Sequence, residues 1–190
     1  MQRMRLFLAL ALCLLLLAAG GCAGNGPRPG AAVALPPLRL APSSLPAPLA
    51  LQQALQFRLG SHQREMTALL ESDADAVRLA VQAMGQTGVR LSWDGRQLQQ
   101  QRAPWLPSQV RGERVLDDLQ FAYWPEDAIA AALPAGWQLQ VSADGRQLRH
   151  AGKTWLETRR QADGVLLLHN HVEGYQLLIQ SQALGTGELP

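Results

Sequence analysis

From Leu49 onward apolar and polar residues alternate along much of the chain, and a period of two marks a strand with one buried face. In 51–59 the odd positions Leu51, Leu55, Phe57 and Leu59 are apolar, while Gln52, Gln56 and Arg58 fall on the other face. Met66, Ala68 and Leu70 next oppose Glu65, Thr67 and Glu71, and Val77, Leu79, Val81 and Ala83 oppose Arg78 and Gln82. After Gly85-Gln86-Thr87-Gly88 the pattern resumes in Val89, Leu91 and Trp93. Asp94-Gly95 is a hairpin signal, because both central residues of a type I′ turn need positive φ. A two-residue turn there pairs Trp93 with Arg96 and Leu91 with Leu98. Asp144-Gly145 repeats the pattern and pairs Val141 with Leu148 and Leu139 with His150. At Asp163-Gly164 the same geometry would match Arg160 with Leu167, so a bulge or longer turn is expected. A last hairpin turns near Glu173-Gly174 and places Val172 and Leu168 on the side of Tyr175, Leu177 and Ile179.

Between these two sets of strands the period changes. Over 113–121 Val115, Leu116, Leu119 and Phe121 approximate a helical stripe. Trp124-Pro125-Glu126-Asp127 starts a second short helix, with Pro125 near its first position and acids in its first turn; residues 128–133 carry it and Pro134-Ala135-Gly136 ends it. The order strands, two short helices, strands predicts a mainly β, α+β domain. An antiparallel sheet of that length curls, and the helices would cover its apolar concave face.

The first 48 residues have a different texture. Arg3 and Arg5 precede an apolar run over 6–19, followed by Gly20, Gly21 and Cys22. That run is too short for a membrane span of roughly 20 apolar residues and has the layout of an export signal. Ala19-Gly20-Gly21-Cys22 resembles the bacterial lipobox, with Ala19 where Leu is usual. The expectation is therefore a signal peptide over 1–21 and acylation of Cys22; Cys13 would leave with the signal. An ordinary secretory cut near Ala18-Ala19, with an incidental cysteine, is the competing reading. Acyl chains contribute about 0.8 kcal/mol per buried methylene, so two or more chains hold a protein stably at a membrane. Ala23 follows the cysteine, where an Asp would favour inner-membrane retention, so the outer membrane is the expected destination. Residues 22–48 are rich in Pro and Gly and read as a semi-extended tether. Leu35, Leu38 and Leu40 interrupt it and could lie against the domain, assigned to residues 49–190.

Composition narrows the chemistry. Loss of Arg3 and Arg5 with the signal leaves as many basic as acidic residues, against 17 and 15 in the 190-residue chain. No basic cluster with interleaved aromatics points to nucleic acid. Only Cys22 would remain after processing, so neither a disulfide framework nor a cysteine metal site is expected. There is no Gly-x-Ser-x-Gly elbow, no phosphate-binding Gly-rich loop and no His-Glu-x-x-His helix; Gly85-Gln86-Thr87-Gly88 reads as a turn. His169 and His171 share a strand face and could touch one metal ion, but that face opposes Val172 and Tyr175, and the sequence identifies no third ligand. His62 and His150 read as structural or exposed. Glu113, Asp117 and Asp118 could form an acid–base pair, although a solvated helix face beside Arg111 and Arg114 explains them more simply. Trp93, Trp105, Trp124, Trp137 and Trp155 fit core packing or a ligand cavity. No catalytic residues, cofactor or metal are assigned, and the chain does not read as an enzyme.

The lipobox-like start, Leu40-Ala41-Pro42-Ser43-Ser44-Leu45, Val110-Arg111-Gly112, the segment from Trp124-Pro125 to Leu133-Pro134-Ala135-Gly136-Trp137, and Gly174-Tyr175-Gln176-Leu177 carry a resemblance. Over roughly residues 35–182 the chain resembles an uncharacterised family of bacterial lipoproteins often encoded beside aryl-polyene biosynthesis genes. That family is similar in fold class to LolA and LolB, the carrier and outer-membrane receptor of lipoproteins, which are curled antiparallel half-barrels closed by helices. The resemblance implies an apolar concave cavity that would include Phe57, Leu79, Val81, Leu91 and Trp93 under Leu119 and Trp124. It also implies passage through the lipoprotein export and sorting machinery. The expected function is an outer-membrane-anchored protein that binds, transfers or places a lipidic molecule, an acyl chain or aryl-polyene lipid, in the cell envelope. The alternative is a non-catalytic assembly or protein-interaction module with a packed core, and an enzyme acting on lipid-linked intermediates ranks third.

Overall fold

The computed structural model describes residues 33–106 and 110–184, so the expected signal peptide over 1–21 and Cys22 lie outside the described residues. Ten strands form a single antiparallel sheet: β1 (Leu49–Leu59), β2 (His62–Ser72), β3 (Val77–Ala83), β4 (Gln86–Trp93), β5 (Leu98–Arg102), β6 (Trp137–Ser142), β7 (Gly145–His150), β8 (Lys153–Arg160), β9 (Leu166–Asn170) and β10 (Tyr175–Ala183). Helices α1 (Gly112–Tyr123) and α2 (Glu126–Ala132) separate the two runs of strands. The spatial order is β5-β4-β3-β2-β1-β10-β9-β8-β7-β6, so two five-stranded meanders join where β1 pairs with β10. The sheet curls but does not close. Its edge strands are short, which limits the open edge available for pairing with another chain. On the inner side α1 lies over β4 and β5 while α2 lies over β6, so the helices bridge the two edges.

The alternating pattern sets which residues face inward. Leu55, Leu70, Leu79, Leu91, Leu148, Leu156, Leu168 and Ile179 join one apolar cluster with Leu116, Phe121, Trp124 and Ile129. Turn chemistry then adjusts the registers. At the β4–β5 hairpin Trp93 pairs with Leu98, and Leu91 with Gln100 rather than with Leu98. The Asp94 side chain accepts bonds from the Arg96 and Gln97 amides, which stabilises a four-residue loop in place of a type I′ turn. At β6–β7 Leu139 pairs with Leu148 and Val141 with Arg146, correcting the expected Val141–Leu148 and Leu139–His150 pairs by two residues. Gly145 stands on β7 because a Cβ there would collide with the Thr158 carbonyl on β8. Since both shifts are by two, every side chain keeps its face.

The 161–165 loop is the longer turn expected at Asp163-Gly164, with Arg160 opposite Leu166. At the β9–β10 turn Asn170 pairs with Tyr175, which removes Val172 from the strand and leaves it exposed. The expectation that Val172 shares the buried side of Tyr175 is corrected by this four-residue turn. Asn170 caps it by accepting the Val172 and Glu173 amides at 3.1 and 2.9 Å.

Candidate functional site

The residues expected to line a concave cavity do converge. Leu79, Val81, Leu91, Trp93, Leu119 and Trp124 are buried in the central cluster, and half-buried Phe57 packs against it. Trp124, Phe121, Leu116 and Ile129 are 0% exposed and fill the space between sheet and helices. A depression of about 610 Å³ lies instead on the other face, where Ala54, Gln56, Glu65, Thr67, Gln82 and Gln180 contribute outward positions of β1, β2, β3 and β10. The cover is uneven. Over β6, β9 and β10 the inward Trp137, Leu139, Leu166 and Leu177 are only half-buried, and Val141 is 46% exposed.

A chain segment completes the cover. The compact unit begins at Leu35 rather than at Leu49, because residues 35–45 run as a strap against the interior. Leu38 and Leu40 supply its apolar contacts, and a short 3-10 turn follows at Pro42–Ser44. The fully buried Gln120 of α1 binds both backbone groups of Leu40, accepting from its amide at 3.0 Å and donating to its carbonyl at 2.9 Å. Trp93 Nε1 donates to the same carbonyl at 2.7 Å, and Trp124 Nε1 donates to the Ala41 carbonyl at 3.0 Å. The strap's Pro residues make no such demands, since proline has no amide hydrogen to satisfy.

Beside the strap lies a buried ionic network that the helix pattern concealed. Asp117 accepts the Leu38 amide at 3.1 Å and an Arg39 guanidinium nitrogen at 3.3 Å. Arg114 Nε pairs with Asp118 at 3.0 Å, while the Tyr175 hydroxyl donates to the other Asp118 oxygen and accepts from Asn170 at 3.3 Å. Asp117 and Asp118 are therefore not on a solvated helix face; the strap and the β9–β10 turn cover them. Burial pushes Asp118 up to about 6 against the pull of Arg114, and it raises Asp117 for the same reason. Burial and the neighbouring Asp118 likewise hold the Tyr175 phenol well above its usual range. Glu113, at the helix start, instead bonds the Gln100 amide near the surface. The pair Asp117 and Asp118 is occupied with structural partners, which leaves this cluster no open approach to a substrate.

On the outward face, His169 and His171 flank the inward-pointing Asn170, as a period of two requires. Their rings lie 3.8 Å apart between centroids. Register brings a third group to them: Glu157 of β8 stands opposite His169. Its Oε1 is 3.1 Å from His171 Nε2 and 3.6 Å from His169 Nδ1. Glu157 lies 12 positions before His169 in the sequence, and only the strand pairing could have revealed it. His150 has a different role, joining an aromatic cluster in which its ring is tilted against Trp137 at 4.8 Å and meets Trp155 edge-on at 5.9 Å. His62 is exposed at the start of β2, and Trp105 is 38% exposed.

Among the described residues no helix is long and apolar enough to cross a membrane. The family model described as "Protein of unknown function (DUF3261)" matches residues 50–183, from the start of β1 to the end of β10. No curated protein matches the sequence.

Proposed function

The chain belongs to the DUF3261 family, and from that premise we propose that it is a lipoprotein of the cell envelope whose domain works as a non-catalytic binding and assembly module. The filled interior carries this reading: Trp124, Phe121, Leu116 and Ile129 occupy the space where a carrier would hold its cargo. The export signal and Cys22 would tether the module to the outer membrane, facing the periplasm, with the Pro-rich segment up to the strap as its spacer. The resemblance to aryl-polyene-associated lipoproteins of LolA/LolB-like fold supports the compartment. It is an analogy of fold and carries no activity across by itself.

A second reading, an acyl or aryl-polyene lipid carrier, is favoured by one observation. The concave face is covered by a strap and two helices rather than by strands, and Leu139, Trp137, Leu177 and Val141 leave apolar surface at its less-covered end. Lipid extraction of the purified chain separates the two readings. The module reading expects no stoichiometric copurifying lipid beyond its own anchor and no displacement of a fluorescent fatty acid. Stoichiometric noncovalent lipid would establish the carrier instead. The tether is tested separately: Cys22→Ala should move the protein from the membrane to the soluble fraction and abolish labelled palmitate incorporation. Membrane association that survives the change, with no label in the wild type, would refute the lipoprotein reading.

A further inference from the structure

We propose that Glu157, His169 and His171 form a binding site for a divalent transition-metal cation of the zinc class on the outward face of the sheet. The donor set suits such an ion, because imidazole nitrogen and carboxylate oxygen are its common protein ligands. The spacing suits it as well. Metal–ligand bonds of about 2.0–2.1 Å in a tetrahedral site hold neighbouring donor atoms about 3.3 Å apart. The two distances to Glu157 Oε1, 3.1 Å and 3.6 Å, bracket that value. All three donor atoms lie within 4.8 Å of one another. Three protein ligands leave a fourth position for water or a partner's side chain.

The site is held before any ion arrives. Asn170 is 0% exposed, and its side chain clamps the turn that presents His171, whose own amide donates to the Trp155 carbonyl at 2.9 Å. His169 is fixed by the β8–β9 ladder, and Gln147 of β7 donates to Glu157 Oε2 at 3.1 Å. A bond of that kind orients a ligating carboxylate and strengthens a site by about 10–100-fold. Two imidazoles held 3.8 Å apart and tilted by 35° beside a carboxylate are more than sheet pairing requires. As a partly exposed pair they gain little from each other.

The test uses the untagged full-length chain in detergent, stripped with a chelator and titrated with zinc chloride against a chromophoric competitor at neutral pH. One zinc per chain is expected. His169→Ala with His171→Ala should abolish binding, Glu157→Gln should weaken it at least about tenfold, and Gln147→Leu should weaken it by about tenfold. His62→Ala should leave it unchanged. Zinc should also raise the Tm of the wild type and not of the double variant. Should the double variant fail to fold by circular dichroism, Glu157→Gln decides by the same titration. Failure of the wild type to bind zinc, or undiminished binding by the variants, overturns the site.

Discussion

Two polar clusters sit back to back on the β9–β10 hairpin, separated only by the thickness of the sheet. Asn170 belongs to both, because its side chain bonds Tyr175 on the inner side while its backbone spaces His169 and His171 on the outer. On the inner side, Arg114, Asp117, Asp118 and Tyr175 are buried and use their donors and acceptors on one another, on the strap and on Asn170. On the outer side, Glu157, His169 and His171 are partly exposed, and the same kinds of group converge on a point open to solvent. The contrast teaches how to separate structure from chemistry. Buried charges cost several kcal/mol to desolvate and persist only when fully paired, so a satisfied network reports on folding. The half-exposed outer groups bond one another at 3.1 Å but keep a side open to solvent, where a ligand can be tested.

The difference can be broken most severely from inside. Arg114→Ala would leave two buried carboxylates without their main counter-charge, and should cost about 3–5 kcal/mol of stability by urea unfolding. A pH series should come next. Burial pushes the folded Asp118 carboxyl up to about 6, against the ordinary aspartate value of 3.8 in the unfolded chain. A carboxyl whose folded pKa is raised stabilises the fold most below the unfolded value, and that contribution is lost as pH rises through the folded one. Relative to Asp118→Asn, the wild type should therefore gain about 2 kcal/mol between pH 7 and pH 4. An unchanged difference between the two proteins across that window would mean that Asp118 is not buried as described.

Smaller effects sharpen the boundary between the clusters. Gln120→Leu removes both bonds to Leu40 and leaves buried backbone groups without that partner, a loss of about 1–3 kcal/mol. It should also speed proteolysis within residues 35–48, read as the first cleavage site by mass spectrometry. At the other extreme, His169→Ala in metal-free protein should change stability by no more than about 0.5 kcal/mol, as for an ordinary surface position. A much larger loss there would make the outer cluster structural after all.

Much of the architecture was legible before any coordinates, and particular residues explain the limit. Leu55, Leu79, Leu91 and Trp93 announced their strands because a half-buried strand imposes a period of two on the sequence. The Asp-Gly pairs located two hairpins but not their registers, because Asp94 chose to cap a four-residue loop and Gly145 was needed for strand approach rather than for positive φ. Asp117 and Asp118 were misread for a different reason. A helix shows its apolar stripe in sequence, but burial of its polar side depends on what packs there, here a strap whose Leu38, 79 residues before Asp117, bonds its carboxylate.

By itself the sequence determined the class of fold, the inward face of each strand and the place of the two helices, since all of these are local periodicities read within a few residues. The tertiary structure alone decided how Trp124, Phe121 and Leu116 occupy the middle of the concave face, how residues 35–45 bond across it, and that Glu157 meets His169 and His171. Each of these depends on volume or on register between segments distant in the chain. A pattern of apolar and polar residues says which way a side chain points, and only the assembled sheet says what it meets there.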